Sequence, residues 1–364
     1  MNVPMNKMVI GGLLMFCLKA TAQEPGKEVK PKAFAWSGYL EVYYAYDFGK
    51  PANNDRPAFL YSHNRHNEVN LNIGYLKGSY TGEKVRANLS FAAGTYMQAN
   101  YASEPGVLQH VLEANAGVKI SRKKNLWIDA GIMGSHIGFE SAISKEGYTL
   151  TRSMSAENSP YFESGGKLSY TSDNGKWLIS LLVPNGWQRI RRVEGSSLLS
   201  SGAQVQWKPN SRLTLNYSNF IGTDQPDTAR LMRYFHNVYG IYELGKWGFI
   251  AGFDIGLQQL SKSSSSFNTW YTPTLITRYR FSGKWAAAAR VEYYQDRHAV
   301  IVSTRTTDPF ETAGCSLNLD FVPAPNAVIR LEARTFSSRY AIFLQGADPA
   351  SRNTAITTSI AITL

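Results

Sequence analysis

Three groups of residues have types and spacings that could do chemistry. The run HNRHNE, His63 to Glu68, sets two imidazoles three residues apart beside a carboxylate, a donor set suited to a divalent metal. No third ligand stands at a matching spacing, and the run lies in a long polar connection. It is read as a solvated loop, with no metal and no cofactor. Ser135-His136 is an adjacent pair of the kind an exposed hydrolase site uses. It sits at the end of an apolar run with no orienting partner in view, so no catalytic residue is assigned. The third group is larger. Arg330, Glu332 and Arg334 alternate with Ile329, Leu331 and Ala333 in NAVIRLEARTF, and Arg290, Glu292 and Asp320 hold equivalent alternate positions in neighbouring segments. Charges in that pattern either line a watery path for solutes or satisfy one another and stiffen a wall. The two roles are compatible.

Alternation identifies the elements that carry these charges, because successive side chains of a β-strand point to opposite faces. FAWSGYLEVYYAYDF places Glu41 with Tyr39, Tyr43 and Asp47, opposite Trp36, Leu40 and Val42. KVRANLSFAAGTY places Arg86 with Asn88 and Ser90, opposite Val85, Leu89 and Phe91. KWGFIAGFDIGLQ places Asp254 with Gly248, Gly252 and Gly256, opposite Trp247, Phe249 and Phe253. Sixteen such strands fit between residues 34 and 364. Connections after even strands are tight, as at Asp173-Asn174-Gly175 and Ser282-Gly283; those after odd strands are long, notably 49–67, 138–164 and 184–199. The fold class this implies is all-β: a transmembrane antiparallel up-and-down β-barrel of sixteen strands.

Membrane physics explains the pattern. Within hydrocarbon every backbone donor and acceptor must be paired, so a sheet has to close on itself with no edge. Its exterior must then be apolar, while its interior tolerates charge. Six of the eight tryptophans (Trp36, Trp127, Trp177, Trp207, Trp247 and Trp285) fall near the tight-turn ends of strands, as an interfacial aromatic girdle requires. An even strand number brings both chain ends to one side. Residues 1–22 read as a secretory signal, with Lys7, an apolar core from Met8 to Leu18 and the small-x-small site Ala20-Thr21-Ala22; residues 23–33 then form a periplasmic N-terminal segment and 34–364 the barrel. A lipid-modified Cys17 is disfavoured by the bulky Phe16 before it. Past the signal only Cys315 remains, so no disulfide forms within one mature chain. The formal charge of +11 includes Lys7 and Lys19 of the signal, and no compact basic patch interleaved with aromatics points to nucleic acid.

The stretches GFES (Gly138 to Ser141), NSPYFESGGKLSY, LLVPNGW, AARVEYYQD and GCSLNLDFVPAPNAVIRLEAR resemble, in order and spacing, the OmpL-like outer-membrane β-barrel porins. The resemblance runs from about Trp36 to Leu364 and implies a pore-forming barrel without naming a solute.

These observations describe an outer-membrane porin with periplasmic termini, passing small hydrophilic solutes or ions by diffusion. A substrate-specific channel, a surface-adhesion barrel and a secreted β-sandwich lectin stay as alternatives. The expected pore-lining residues are Glu41, Arg86, Asp254, Arg290, Glu292, Asp320, Arg330, Glu332 and Arg334, facing a watery lumen. Acids, Glu68 among them, and bases nearly balance on that wall. Arg189, Arg191 and Arg192 follow Pro184-Asn185-Gly186-Trp187 in a long loop and are expected at the pore mouth, giving a weak anion preference. The expected partners are solutes, outer-membrane lipid and the assembly machinery, which would read the last strand, although Leu364 replaces the usual terminal aromatic. A homo-oligomer is compatible with all of this.

Overall fold

A computed structural model of the chain describes residues 33–304 and 306–364; the expected signal peptide, Cys17 and nearly all of the 23–33 segment lie outside them. The first eight strands are β1 (Phe34–Asp47), β2 (Val69–Thr81), β3 (Val85–Ala93), β4 (Val111–Lys119), β5 (Asn125–Gly134), β6 (Phe162–Thr171), β7 (Trp177–Pro184) and β8 (Ser201–Asn210). Then come β9 (Leu213–Gly222), β10 (Arg233–Leu244), β11 (Trp247–Gln259), β12 (Phe267–Arg280), β13 (Trp285–Asp296), β14 (Phe310–Ala324), β15 (Ala327–Ser338) and β16 (Arg352–Thr363). Each strand pairs antiparallel with its sequence neighbours, and β16 closes the barrel on β1, with Leu40 opposite Ile362 and Tyr46 opposite Ile356. Among the described residues the barrel sheet has no unpaired edge, which is the condition for a sheet in lipid, and a separate short hairpin, Phe343–Gln345 with Asp348–Ala350, stands in the last long connection.

Outward positions are apolar and exposed: Leu89, Phe91, Val238, Phe253, Leu275, Val291, Leu317, Leu331 and Ile360 form part of the belt. Inward positions are polar or small. On β15, Ile329, Leu331 and Ala333 are exposed while Arg330, Glu332 and Arg334 are buried. The β14–β15 register sets Phe321 against Ile329, Asp320 against Arg330 and Asn318 against Glu332. Two outward tryptophans, Trp177 and Trp207, stack across β7 and β8 at 5.5 Å near the tight-turn end.

The lumen departs from the watery interior expected of it. The connection between β5 and β6, residues 135–161, folds back into the barrel rather than standing outside as a loop, and carries Leu150, Ser153 and Met154 at full burial. Part of the β1–β2 connection does the same, with Phe59, Leu60, Ser62 and His63 buried. At the long-loop end these insertions meet inward rings from the strands. Phe59 packs edge-on against Phe310 and Phe336 at 4.9 and 5.4 Å, within a buried cluster that includes Phe220, Phe235, Trp270 and Tyr294. A second cluster, with Tyr96, Met97, Tyr101 and Phe162, closes in from the β2–β6 side.

Candidate functional site in the barrel lumen

Strand parity brings the charged residues of β13, β14 and β15 to one inner wall. Arg330 Nε donates to Asp320 at 2.7 Å, Arg290 Nη2 to Glu332 at 2.9 Å and Arg334 Nη2 to Glu292 at 2.6 Å. These six side chains are between 1% and 8% exposed. They do not face open water, contrary to the sequence expectation, because the 135–161 segment lies on them.

The docking is specific. Glu332 accepts from Thr151 N at 2.6 Å and Thr151 Oγ1 at 2.8 Å, and Arg290 donates to Thr149 Oγ1 at 2.9 Å and to the Thr151 carbonyl at 2.6 Å. Leu150 N donates to Asn318 Oδ1 at 3.0 Å, and Arg330 reaches the carbonyls of Gly147 and Tyr148 at 3.2 Å. A segment with no strand partners has orphan backbone groups, and buried ones must be satisfied. Here the wall charges satisfy them, and charge-assisted bonds of this kind are the strong ones.

Strand β11 supplies the matching shape. A Cβ on Gly248 would stand 2.5 Å from Tyr148, one on Gly252 2.4 Å from Phe139 and one on Gly256 2.0 Å from Trp270. The three inward glycines are therefore notches that receive rings of the inserted segment and of β12. This was the legible signal for the insertion: a lumen open to water gives no reason for glycine at every fourth position on the inner face of a strand.

The HNRHNE run is not a solvated loop. His63 lies fully buried with Nε2 3.3 Å from Glu41, and Glu41 also accepts from Asn72 Nδ2 at 2.8 Å and from Ser144. His66 Nδ1 accepts the Asp47 N–H at 2.9 Å, and Glu68 pairs with Arg65 at 2.7 Å in the connection rather than lining the wall. The run pins the β1–β2 connection to β1. Among the described residues, no three His, Cys, Asp or Glu side chains cluster as a metal site.

Ser135-His136 does have a carboxylate partner, which the sequence hid. His136 Nδ1 lies 2.7 Å from Glu163 Oε1, and Ser135 Oγ donates to the same oxygen at 3.3 Å. Histidine Nε2 is occupied by the Asn219 carbonyl at 2.7 Å, so the ring clamps the segment to β6 and β9 rather than activating the serine. A second adjacent pair, Ser62-His63, is used similarly: Ser62 accepts from buried Arg152 while His63 faces Glu41.

Asp254 is buried and accepts from Asn237 Nδ2. Arg86 is different: it grips Asp129, with Nε at 2.6 Å, stacks 4.4 Å from the Trp127 ring and keeps a third of its side chain exposed. Lys77–Glu113 and Arg278–Glu243 pairs likewise keep between 17% and 33% of each side chain exposed. Arg86, Arg278 and Glu243 lie toward the tight-turn ends of their strands, an end the inserted segment also reaches, with Lys145 Nζ donating to the Pro325 carbonyl at 3.3 Å. A cavity of about 340 Å³ lies beside the inserted segment, lined by Glu113, Phe139, Glu140, Ser141, Tyr161 and Tyr239. At the long-loop end Arg191 is exposed, Arg192 Nη2 donates to the Ser196 and Leu198 carbonyls at 2.7 and 3.1 Å, and buried Glu104 accepts the Ile190 and Arg191 N–H groups at 2.9 and 3.0 Å.

The barrel superposes on solved porins. An anion-selective porin from Comamonas acidovorans matches at TM-score 0.62 and 9% identity, covering 91% of this chain and 99% of that one. OmpT of Vibrio cholerae matches at 0.58 and 11%, covering 93% and 100%, and Salmonella typhi OmpF at 0.58 and 8%, covering 91% and 97%. Such identities show the shared fold alone. No protein of curated function matches the sequence. The family model described as "Putative beta-barrel porin-2, OmpL-like" matches residues 33–364. With sixteen closed strands, an apolar belt and a partly filled polar lumen, the chain belongs to this OmpL-like family of outer-membrane porin channels.

Proposed function

We propose that this porin is a restrictive channel for small hydrophilic solutes, with the tight turns and both chain ends on the periplasmic side. The observation that carries the reading is the asymmetry of the lumen. Docking of residues 135–161 seals the β13–β15 wall, while partly exposed polar groups and the 340 Å³ cavity remain along the β4–β6 and β10 side. Barrels of sixteen to eighteen strands are wide enough to leave an aqueous channel. Here the path is confined to one side of it. Of the expected pore-lining residues, Arg86 is assigned to the solute path. Glu41, Asp254, Arg290, Glu292, Asp320, Arg330, Glu332 and Arg334 hold the insertions that shape it. Arg189, Arg191 and Arg192 are assigned to the long-loop mouth, where Glu104 and loop carbonyls offset their charge. Recognition of β16 by the assembly machinery, and association of copies, complete the proposal.

Single-channel recording on the purified full chain tests it. Small discrete conductance steps are expected, rising when residues 141–155 are replaced by a short Gly/Ser linker. A variant with unchanged conductance would show that the insertion does not border the path, and absence of steps in both would remove the channel assignment.

A further inference from the structure

Four lysines, Lys176, Lys208, Lys246 and Lys284, each stand one residue from an outward tryptophan: Trp177, Trp207, Trp247 and Trp285. All four lysines are exposed. Lys208 N donates to the Lys176 carbonyl at 2.8 Å, Arg280 N to that of Lys246 at 2.9 Å and Val322 N to that of Lys284 at 2.8 Å, so the antiparallel pairing continues through these residues. Parity then places the lysines on the lumen side of the rim. The tryptophans are 37% to 44% exposed on the lipid side and seek the interface between hydrocarbon and headgroups. One residue away, the lysines line the tight-turn rim on the half of the barrel from β6 to β13.

None of the four lysines is in an ion pair among the described residues. Of the acids at this end, Glu243 is engaged by Arg278 and Arg280 and Asp173 by Lys124, while Glu83 of the β2–β3 turn stands on the opposite part of the rim with no ion pair among the described residues. The near-balanced wall is thus flanked at this end by an excess of bases at the tight turns. Like charges around a mouth with low-dielectric walls focus field lines and raise the local concentration of counter-ions, and rings of lysine or arginine are the means by which anion pores select.

Resting on the channel reading above, we infer that this lysine rim at the tight-turn mouth makes the channel prefer small anions, carboxylates and phosphates among solutes, and that the arginines of the 184–199 loop contribute little. The preference fades as the Debye length shrinks from about 8 Å at 0.15 M salt to about 3 Å at 1 M.

The test is the reversal potential of the purified full chain in a planar bilayer under a tenfold KCl gradient, with chloride and potassium as the probes. Folding of each variant is verified by its heat-modifiable gel migration. Wild type is expected to favour chloride at low salt. The K176Q/K208Q/K246Q/K284Q variant should lose most of that preference, the corresponding Lys→Glu variant should favour potassium, and R189S/R191S/R192S should retain the wild-type value. A conducting channel that prefers potassium, or a Lys→Gln variant indistinguishable from wild type, overturns the rim assignment while leaving the channel standing. Absence of conductance in wild type overturns the channel reading and the rim assignment with it.

Discussion

The two sides of this lumen use the same side-chain types for opposite ends. Along β13–β15 the charges are buried, and each carboxylate or guanidinium serves a backbone group of the 135–161 segment or a neighbouring charge. Along β2–β5 the ion pairs Lys77–Glu113 and Arg86–Asp129 bridge alternate strands, and Lys77, Glu113 and Arg86, though not the buried Asp129, keep contact with water. The difference is one of covering rather than composition. An arginine under a docked segment is a structural bolt; an arginine left partly in water, as Arg86 is, is the kind proposed to border the solute path.

Breaking the sealed wall should have the largest effect. Arg290→Met removes the donor shared by Thr149, Thr151 and Glu332 and leaves buried carboxylates short of a partner. Removing one member of a buried pair costs about 3–5 kcal/mol. The midpoint of urea unfolding should fall accordingly, and conductance should rise as the segment loosens. Stability equal to wild type would mean that the wall does not hold the segment.

Gly252→Ala tests the shape of the same dock. The added methyl meets Phe139 at 2.4 Å, and overpacking of this kind costs about 1–3 kcal/mol. A larger conductance with the barrel intact by gel shift is the expected outcome, whereas Ala251→Val, on the lipid face of the same strand, should leave conductance alone. On the open side, Lys77→Gln should change stability by less than about 1 kcal/mol, because a pair a quarter exposed is screened by water. A loss as large as that of Arg290→Met would erase the distinction between the two walls.

The smallest effect belongs to the clamp at the start of the segment. Burial disfavours the His136 cation, but Glu163 at 2.7 Å outweighs it and holds the imidazole pKa above its ordinary value. A raised folded-state pKa means that the clamp's ionic contribution is complete below the ordinary histidine value of about 6.5 and is lost as pH rises through the folded value. Unfolding midpoints should therefore decline modestly from pH 6 toward pH 9 in wild type, and the decline should flatten in His136→Gln. A wild-type midpoint that climbs over that range contradicts the assignment.

Much of this was open to reading in the linear chain. Period-two alternation, tight turns after even strands and tryptophans at one set of strand ends are local features, so they determined sixteen strands and their inward and outward faces, although Trp127 turns inward beneath Arg86 instead of joining the lipid-side girdle. The detail of the β14–β15 turn was not legible: pairing shifts after Phe321 and resumes at Ala324 and Ala327, so the turn is Pro325-Asn326.

What covers the inner face was decided by tertiary structure alone. Leu150 meets Asn318 168 positions away, Thr151 meets Glu332 across 181, and Ser144 meets Glu41 across 103. No local period encodes such contacts. The inner face of a strand has the same parity whether water or another segment lies on it, so the sequence by itself determined which side chains point inward, and only the folded barrel determined whether they meet solute or protein. Gly248 and Gly252 of β11 and Gly202 of β8 were local traces of that decision, because a Cβ at each would meet Tyr148, Phe139 or His136 of the inserted segment.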